Sequence, residues 1–452
     1  MRKNRILLIL AVAIPLLCLL VVFAYYLPPI HSRLSGRVSN FRTQIKYALN
    51  PPDEAVFVPQ EQVDGNPQLP TQTSTPITPP PSPTVTIAGP TMSPEPTLTP
   101  TLTSTPLPER IALDGVVYVD QHNRWNYCGP ANLTMALNFW GWPGTRDDVA
   151  AVVKPGIIDP NLDFIQRGKL DKNVMPYEMA NFVQEHTDYN VVVRSGGDIE
   201  LVKRLVANGF PVLIEKGYYE ADYTGKVAWL GHYLFVTGYD DNEGAFIVQD
   251  AYLKPGKDMR SDYETFIEGW RSFNYLFMVI YPPEREPEVF ELLGPWGDPT
   301  WANQNALELA NEETQTLSGI DGFFAWFNKG TSHVNLLEYG EASLAYDQAF
   351  SIYSQLGDDD TQRPYRIMWY QTGPYWAYFY TGRYQDTINL AETTLYDTIS
   401  EPTLEESLYW RGQAYLALGR TNEAIADFRE TVRLNPNFGP GIQMLSQLGV
   451  IP

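Results

Sequence analysis

The sequence predicts an α+β domain followed by an all-α domain, both placed behind an apolar N-terminal segment and a Pro/Thr/Ser-rich linker. Helix-favouring runs precede β-rich runs between residues 111 and 283, an order typical of α+β domains. From residue 284 onward the pattern becomes helical and repetitive. The 452 residues suffice for two ordinary domains with appendages, and we place the four parts at 1–28, 29–110, 111–283 and 284–452.

The apolar run at residues 6–27 is long enough to cross a bilayer as a helix. It is long for a signal peptide and no clear small-x-small cleavage site follows it, so we expect an uncleaved signal anchor. Basic residues lie on both sides of the run, and the positive-inside rule therefore hardly discriminates between the two orientations. We expect a single-pass protein of the cell membrane.

Residues 51–108 are rich in proline, threonine and serine, a composition that buries no core and favours an extended, disordered linker. Such a linker suits domains held away from a membrane, on its extracytoplasmic side. The net charge of −21 and the lack of a basic stripe argue against a nucleic-acid partner. A single cysteine outside the apolar segment excludes an intrachain disulfide framework in the exterior part.

The elements of the α+β domain are expected in a definite order. A first strand at 111–119 and a helix starting near Cys128 precede a polar stretch. Further on, the residue pattern predicts helices at 177–185 and 199–208 and strands at 191–194 and 210–214. Two β-rich runs then flank the turn-forming residues 240–244, which predicts a hairpin.

Cys128 precedes Gly129-Pro130 and a run with a broad apolar face, which predicts a helix that begins near the cysteine. Unpaired N–H groups and the positive end of the helix dipole favour a thiolate at such a position. The pattern is equally compatible with a free cysteine packed as a small hydrophobic residue.

The predicted hairpin brings His232 and Asp250 together. If its strands fold symmetrically about residue 241, position 232 lies opposite position 250 and both side chains point to the same face. A carboxylate beside an imidazole fixes its tautomer and stabilises the imidazolium. Such a pair can also be purely structural, and a one-residue bulge would change the register.

Other residues near these three are weaker candidates. The amide of Gln121 is a possible oxyanion donor or an ordinary surface group. His122 is too close to Cys128 in sequence to be favoured as a base, and His186 is expected to be solvated. The glycosylation pattern at Asn132 falls inside the predicted helix. Four aromatic residues are candidates for either a cleft or the core: Trp125, Tyr127, Trp229 and Tyr252.

Taken in order, these residues resemble the papain-like cysteine peptidases that process bacteriocin leaders, the double-glycine peptidase-like kind. The resemblance rests on Gln121, the Cys128-Gly-Pro-Ala run, the run at 231–240, Val248-Gln-Asp250, and segments at 209–214 and 266–282. It implies a papain-like fold with Cys128 as nucleophile, His232 as general base, Asp250 as orienter and Gln121 as oxyanion donor. Ala251 differs, because proline is common there in the family.

The resemblance implies hydrolysis of a peptide or protein substrate without a cofactor or metal. A Cys128 thiolate would attack the carbonyl carbon, and water would release the acyl enzyme. An amidase, an acyltransferase and a catalytically inert binding module with the repeats as scaffold remain as alternatives.

Residues 405–437 resemble a tetratricopeptide unit, in which small residues let two helices approach and large ones wedge between them. The matching positions are Leu408, Gly412, Tyr415, Gly419, Ala424, Phe428 and Pro436. A second unit starts near residue 323 and a weaker third near 368. Such a stack predicts a concave surface for a protein or peptide partner. The acidic run at 357–360 lacks a calcium-loop signature and predicts a solvated loop.

Overall fold

The computed structural model describes residues 57–59, 106–124, 126–155, 172–221, 227–357, 363–396 and 404–451. The expected membrane span at 6–27, most of the expected linker, Trp125 and the acidic residues 358–360 lie outside these ranges. Among the helices in the described ranges, none combines the length and the apolar character needed to cross a bilayer.

The first part of the described chain is built on a seven-stranded sheet in which the paired strands are antiparallel. The strand order is β2-β7-β3-β4-β5-β6, and β1 pairs with β4. The strands are β1 (Arg110–Ala112), β2 (Asn190–Arg194), β3 (Val212–Ala221), β4 (Val227–Asp240), β5 (Ala245–Gln249), β6 (Met259–Asp262) and β7 (Phe277–Tyr281).

Helices cover both faces of this sheet, which confirms the α+β class. They are α1 (Cys128–Phe139), α2 (Arg146–Val153), α3 (Pro176–His186), α4 (Ile199–Ala207) and α5 (Tyr263–Arg271). Because side chains alternate along a strand, Leu213 faces the core under α1–α3 while Val212 and Ile214 face the core under α4 and α5. Both faces are therefore buried.

The expected elements of this domain are found with shifted ends. The first strand stops at Ala112 instead of 119, since Gly115 turns the chain with a φ of 81°. Strand β3 continues to Ala221 instead of 214, because its polar second half pairs with β4. Helix α2 was not expected, although Thr145 and Asp148 form a capping box at its start.

The second part of the chain is helical, as the repeat pattern predicts. Its helices are α6 (Glu286–Leu293), α7 (Pro299–Thr316), α8 (Gly319–Asn335), α9 (Tyr339–Gln355), α10 (Gly373–Tyr380), α11 (Tyr384–Tyr396), α12 (Glu405–Ala417), α13 (Thr421–Leu434) and α14 (Gly439–Gln447). In the 405–437 unit, a Cβ atom on Gly412 would lie 2.7 Å from the ring of Phe428. The glycine thus allows α12 and α13 to approach.

The helical part packs directly against the sheet domain. Arg271 at the end of α5 forms ion pairs at 2.9 Å with Glu313 and with Asp321. Lys172, which is buried, pairs with Glu178 of α3 and lies 3.0 Å from Glu405 of α12. Since a buried cation needs compensating charge, these contacts fix the helices against the sheet domain.

The spacing of α8 and α9 depends on a glycine, which predicts opposite effects for two glycine substitutions in the same helix pair. A Cβ atom on Gly330 would lie 2.7 Å from the ring of Tyr346, whereas one on Gly340 meets nothing within 4 Å. We expect Gly330→Ala to lower the free energy of unfolding by about 1–3 kcal/mol through overpacking. Gly340→Ala should raise it by about 0.5–1 kcal/mol through helix propensity.

Thermal unfolding followed by tryptophan fluorescence measures both changes. Equal melting temperatures for the two variants would contradict the close approach of α8 and α9.

Candidate functional site

Helix α1 begins at Cys128, as the sequence predicts, and this free cysteine is half-buried. The side-chain amide of Asn132, one turn later, donates to the carbonyl oxygen of Cys128 at 2.9 Å. The same amide nitrogen donates to the carbonyl oxygen of Tyr233 on β4 at 3.0 Å. Asn132 therefore fixes the start of the helix against the strand that carries His232. Asn132 is fully buried, so its side chain is not exposed for glycosylation.

His232 and Asp250 are both buried and in contact, with 2.8 Å between Nε2 and Oδ1. The same carboxylate oxygen accepts the backbone N–H groups of Tyr252 at 2.8 Å and of Leu253 at 2.9 Å. The imidazole and the side chain of Cys128 also interact, since each shifts the pKa of the other. Since Nε2 faces Asp250, Nδ1 is the nitrogen left for the sulfur.

The expected register of the hairpin is wrong by two residues. Phe235 lies opposite Gln249, so Asp250 follows the end of β5 and would continue opposite Leu234, not opposite His232. The turn displaces the register by three residues, since Asp240 pairs with Ala245 instead of Asn242, and the bulge between Val236 and Gly238 reduces the displacement to two. The two side chains still meet, because positions 232 and 234 lie on the same face of the strand and the offset is diagonal.

The charges in the site favour a thiolate beside an imidazolium. Burial alone would raise the pKa of Cys128, but the hydrogen bond and charge of His232, with the N–H groups of Tyr233 and Gly129, lower it below its ordinary value. Burial alone would lower the pKa of His232, but Asp250 and Cys128 raise it well above its ordinary value. Between these two pKa values the ion pair is the favoured state.

Asp250 remains a carboxylate in this environment. Burial would raise its pKa, but the charge and hydrogen bond of His232 and the two backbone N–H groups lower it. Because its pKa is lower in the folded than in the unfolded chain, Asp250 stabilises the fold at pH values above the unfolded pKa. This stabilisation is lost as the pH falls through the folded pKa.

Gln121 is buried beside the segment that follows Asp250. Its backbone N–H donates to the carbonyl oxygen of Ala251 at 2.9 Å, and the hydroxyl of Tyr118 donates to the carbonyl oxygen of Asp250 at 3.0 Å. Within the described residues, the Oε1 atom of Gln121 is buried without a hydrogen-bond partner. The side chain is thus not the ordinary surface amide of the alternative interpretation.

The other candidate residues lie in different environments. Tyr252 stacks on His122 at 5.4 Å between ring centroids and meets His232 edge-on at 6.5 Å. The Nδ1 atom of His122 lies 2.9 Å from Asp120. Trp229 is buried and stacks on Phe273 at 5.6 Å, so the packing interpretation applies to it. His186 is exposed and Tyr127 is half-buried. Among the described residues, no cluster of side chains is suited to hold a metal ion.

Two residues of β3 that the sequence did not single out lie close to the site. Tyr218 meets His232 edge-on at 5.4 Å between centroids. Glu215 is buried opposite Tyr233, and burial, followed by the charge of Cys128, raises its pKa well above the usual range. The pairing of β3 with β4 identifies both residues, but the predicted strand ended at residue 214 and its pairing was not predicted.

The helical part also reaches the site. The residue before His232 is Gly231, and a Cβ atom there would lie 2.7 Å from the ring of Tyr370 and 2.6 Å from that of Phe273. A cleft of about 430 Å³ lies between the sheet domain and the helices, and its lining includes Glu215, Phe273, Tyr370 and Trp376. The candidate site is therefore bordered by both parts of the chain.

Comparison with known proteins agrees with the predicted resemblance. Residues 113–278 match the model of the Peptidase_C39 like family, and residues 405–438 match the tetratricopeptide repeat model. A crystal structure from Bacillus anthracis, described as a C39-like peptidase, is similar at 18% identity, covering 38% of this chain and 96% of that chain with a TM-score of 0.30. No curated protein matches the chain. The chain thus contains a Peptidase_C39-like domain at residues 113–278 and a tetratricopeptide repeat at 405–438.

Proposed function

We propose that the protein is a cysteine peptidase that hydrolyses peptide bonds through Cys128, His232 and Asp250. The observation that carries this proposal is a buried imidazole that contacts the carboxylate of Asp250 at 2.8 Å and interacts electrostatically with the thiol at the start of α1. The match to a peptidase family model supports the same reaction class. A merely packed cysteine would not require a histidine with a raised pKa and a carboxylate behind it.

The proposed reaction assigns one role to each of these groups. The Cys128 thiolate attacks the carbonyl carbon, and the developing oxyanion is held by N–H groups at the start of α1 and by the side chain of Gln121. His232, charged through its contact with Asp250, gives its proton to the leaving amine. Water then attacks the acyl enzyme with His232 as base, which releases the acid and restores the thiolate beside the imidazolium.

The lowered pKa of Cys128 predicts fast alkylation at acidic pH. Iodoacetamide should modify Cys128 at pH 6, below the ordinary thiol pKa of about 8.5. His232→Ala removes the opposing hydrogen bond and charge and leaves burial to raise the pKa. We expect this variant to react about tenfold or more slowly at pH 6. Mass spectrometry of the peptide that contains Cys128 distinguishes it from Cys18.

The matched control is His122→Ala, since this nearby imidazole pairs with Asp120 and stacks on Tyr252. Equal rates for wild type and His232→Ala at pH 6 would rule out an activated thiol.

Peptide cleavage provides the direct test of the proposed activity. Incubating the full chain with a peptide library should yield cleavage products, and Cys128→Ala should reduce the rate by about 10³-fold or more because the nucleophile is lost. Cys18→Ala, the only other cysteine substitution the chain offers, should leave the rate unchanged.

Cleavage in water enriched in ¹⁸O separates hydrolysis from acyl transfer. One heavy oxygen in each new carboxylate indicates a peptidase, while transfer to an added amine without that oxygen indicates an acyltransferase. Equal cleavage by Cys128→Ala would exclude the proposed nucleophile.

We also propose that the apolar run at 6–27 anchors the protein in the cell membrane with both folded parts on the extracytoplasmic side. The helical repeats would then offer a protein or peptide partner a surface outside the membrane. The length and composition of the run support the anchor, and the Pro/Thr/Ser-rich segment after it supports the orientation.

Membrane fractionation tests the anchor. The full chain should sediment with membranes, stay there in alkaline carbonate and be released by detergent, whereas a variant without residues 1–28 should remain in the supernatant. Full-length chain in the supernatant would contradict the anchor.

A further inference from the structure

One aromatic side chain from the range expected to be linker is inserted into the helical part. Phe57 is only 6% exposed, although the next residue, Val58, is 58% exposed. Its ring meets Phe350 edge-on at 5.0 Å between centroids and Tyr378 at 6.0 Å. Residues 57–59 are in neither a helix nor a strand. A buried aromatic side chain beside an exposed neighbour is typical of an anchor residue, which carries most of the binding energy of an interface.

The residues that receive Phe57, which we call the Phe57 socket, are Phe350 of α9 and Tyr378 of α10. Both are nearly or fully buried. The hydroxyl of Tyr378 donates to Asp347 at 3.0 Å, and Arg383 lies 4.3 Å from the Tyr378 ring centroid while pairing with Asp347 at 2.7 Å. Tyr378 is thus held from its polar side while Phe57 packs against its ring.

The socket belongs to an apolar cluster that joins distant parts of the chain. This cluster contains Trp229 and Phe273 of the sheet domain, Phe327 of α8, and the two socket residues. The ring of Phe327 lies 6.3 Å from that of Phe350. Because these rings pack on one another, their positions are largely set before Phe57 binds, and little conformational entropy is lost on binding.

We propose that α9 and α10 form a binding site for an extended peptide anchored by one phenylalanine, and that residues 57–59 of the same chain are its occupant. A ligand within the chain is present at an effective concentration of the order of millimolar, so it fills the socket without high intrinsic affinity. Because Phe57 binds the helical part, only residues 29–56, rather than 29–110, would separate the expected membrane span from the folded part of the chain.

The proposal is tested with the full chain and a fluorescent peptide that covers residues 51–62. Fluorescence anisotropy should detect binding to Phe57→Ala, whose socket is empty, and binding to wild type at least tenfold weaker because its own segment competes. A peptide in which the phenylalanine is replaced by alanine should bind neither protein. The matched control is Val58→Ala, which changes an exposed side chain and should behave as wild type.

Two measurements keep the result interpretable. If Phe57→Ala fails to fold, Phe57→Leu, which keeps apolar bulk but loses the ring contacts, replaces it in the same titration. Light scattering after size-exclusion chromatography reports whether the occupant comes from the same chain. A peptide that binds the empty-socket variant no better than wild type would overturn the proposal, as would a wild-type dimer that dissociates in Phe57→Ala.

Discussion

The contact between His232 and Asp250 depends on one β-bulge. Near the turn, Gly238 pairs with Ile247, and that register continued without interruption would place Asp250 opposite Phe235. Position 235 lies on the other face of the strand from position 232, so the carboxylate and the imidazole would be separated by the sheet. The bulge at Thr237 adds one residue to β4 and returns Asp250 to the face of His232.

Contacts inside and outside the hairpin stabilise this bulge, and the sequence alone did not predict it. The N–H of Leu113, next to β1, donates to the carbonyl oxygen of Thr237 at 2.8 Å. The amide of Gln249 donates to the hydroxyl of Thr237 at 2.9 Å and to Asp258 at 2.8 Å. The hairpin itself was predictable because turn residues and alternation are local, whereas its register also depends on Leu113, which lies more than a hundred positions away.

The other correct predictions also rest on local sequence patterns, whereas the features that were missed depend on residues far away in the sequence. Gly-Pro after Cys128 and the spacing of Gly412 and Phe428 are local signals, and the structure has the expected helix start and helix pair. Gly231 carried no such signal, because its lack of a side chain is explained by the rings of Phe273 and Tyr370, which lie far from it in the sequence. Phe57 was equally hidden, since one aromatic residue before a Pro-rich stretch has no periodicity to reveal its burial.

The protonation state of Glu215 connects the pairing of β3 with β4 to the candidate site. The hydroxyl of Tyr233 donates to the carbonyl oxygen of Val174 at 3.0 Å, and Glu215 lies opposite Tyr233 on β3. Burial, followed by the charge of Cys128, raises the pKa of Glu215 well above its ordinary value and favours its neutral form. An ionised Glu215 would place a second negative charge near the sulfur and raise the pKa of Cys128, which His232 lowers. The buried proton on Glu215 therefore helps to keep the thiolate accessible at acidic pH.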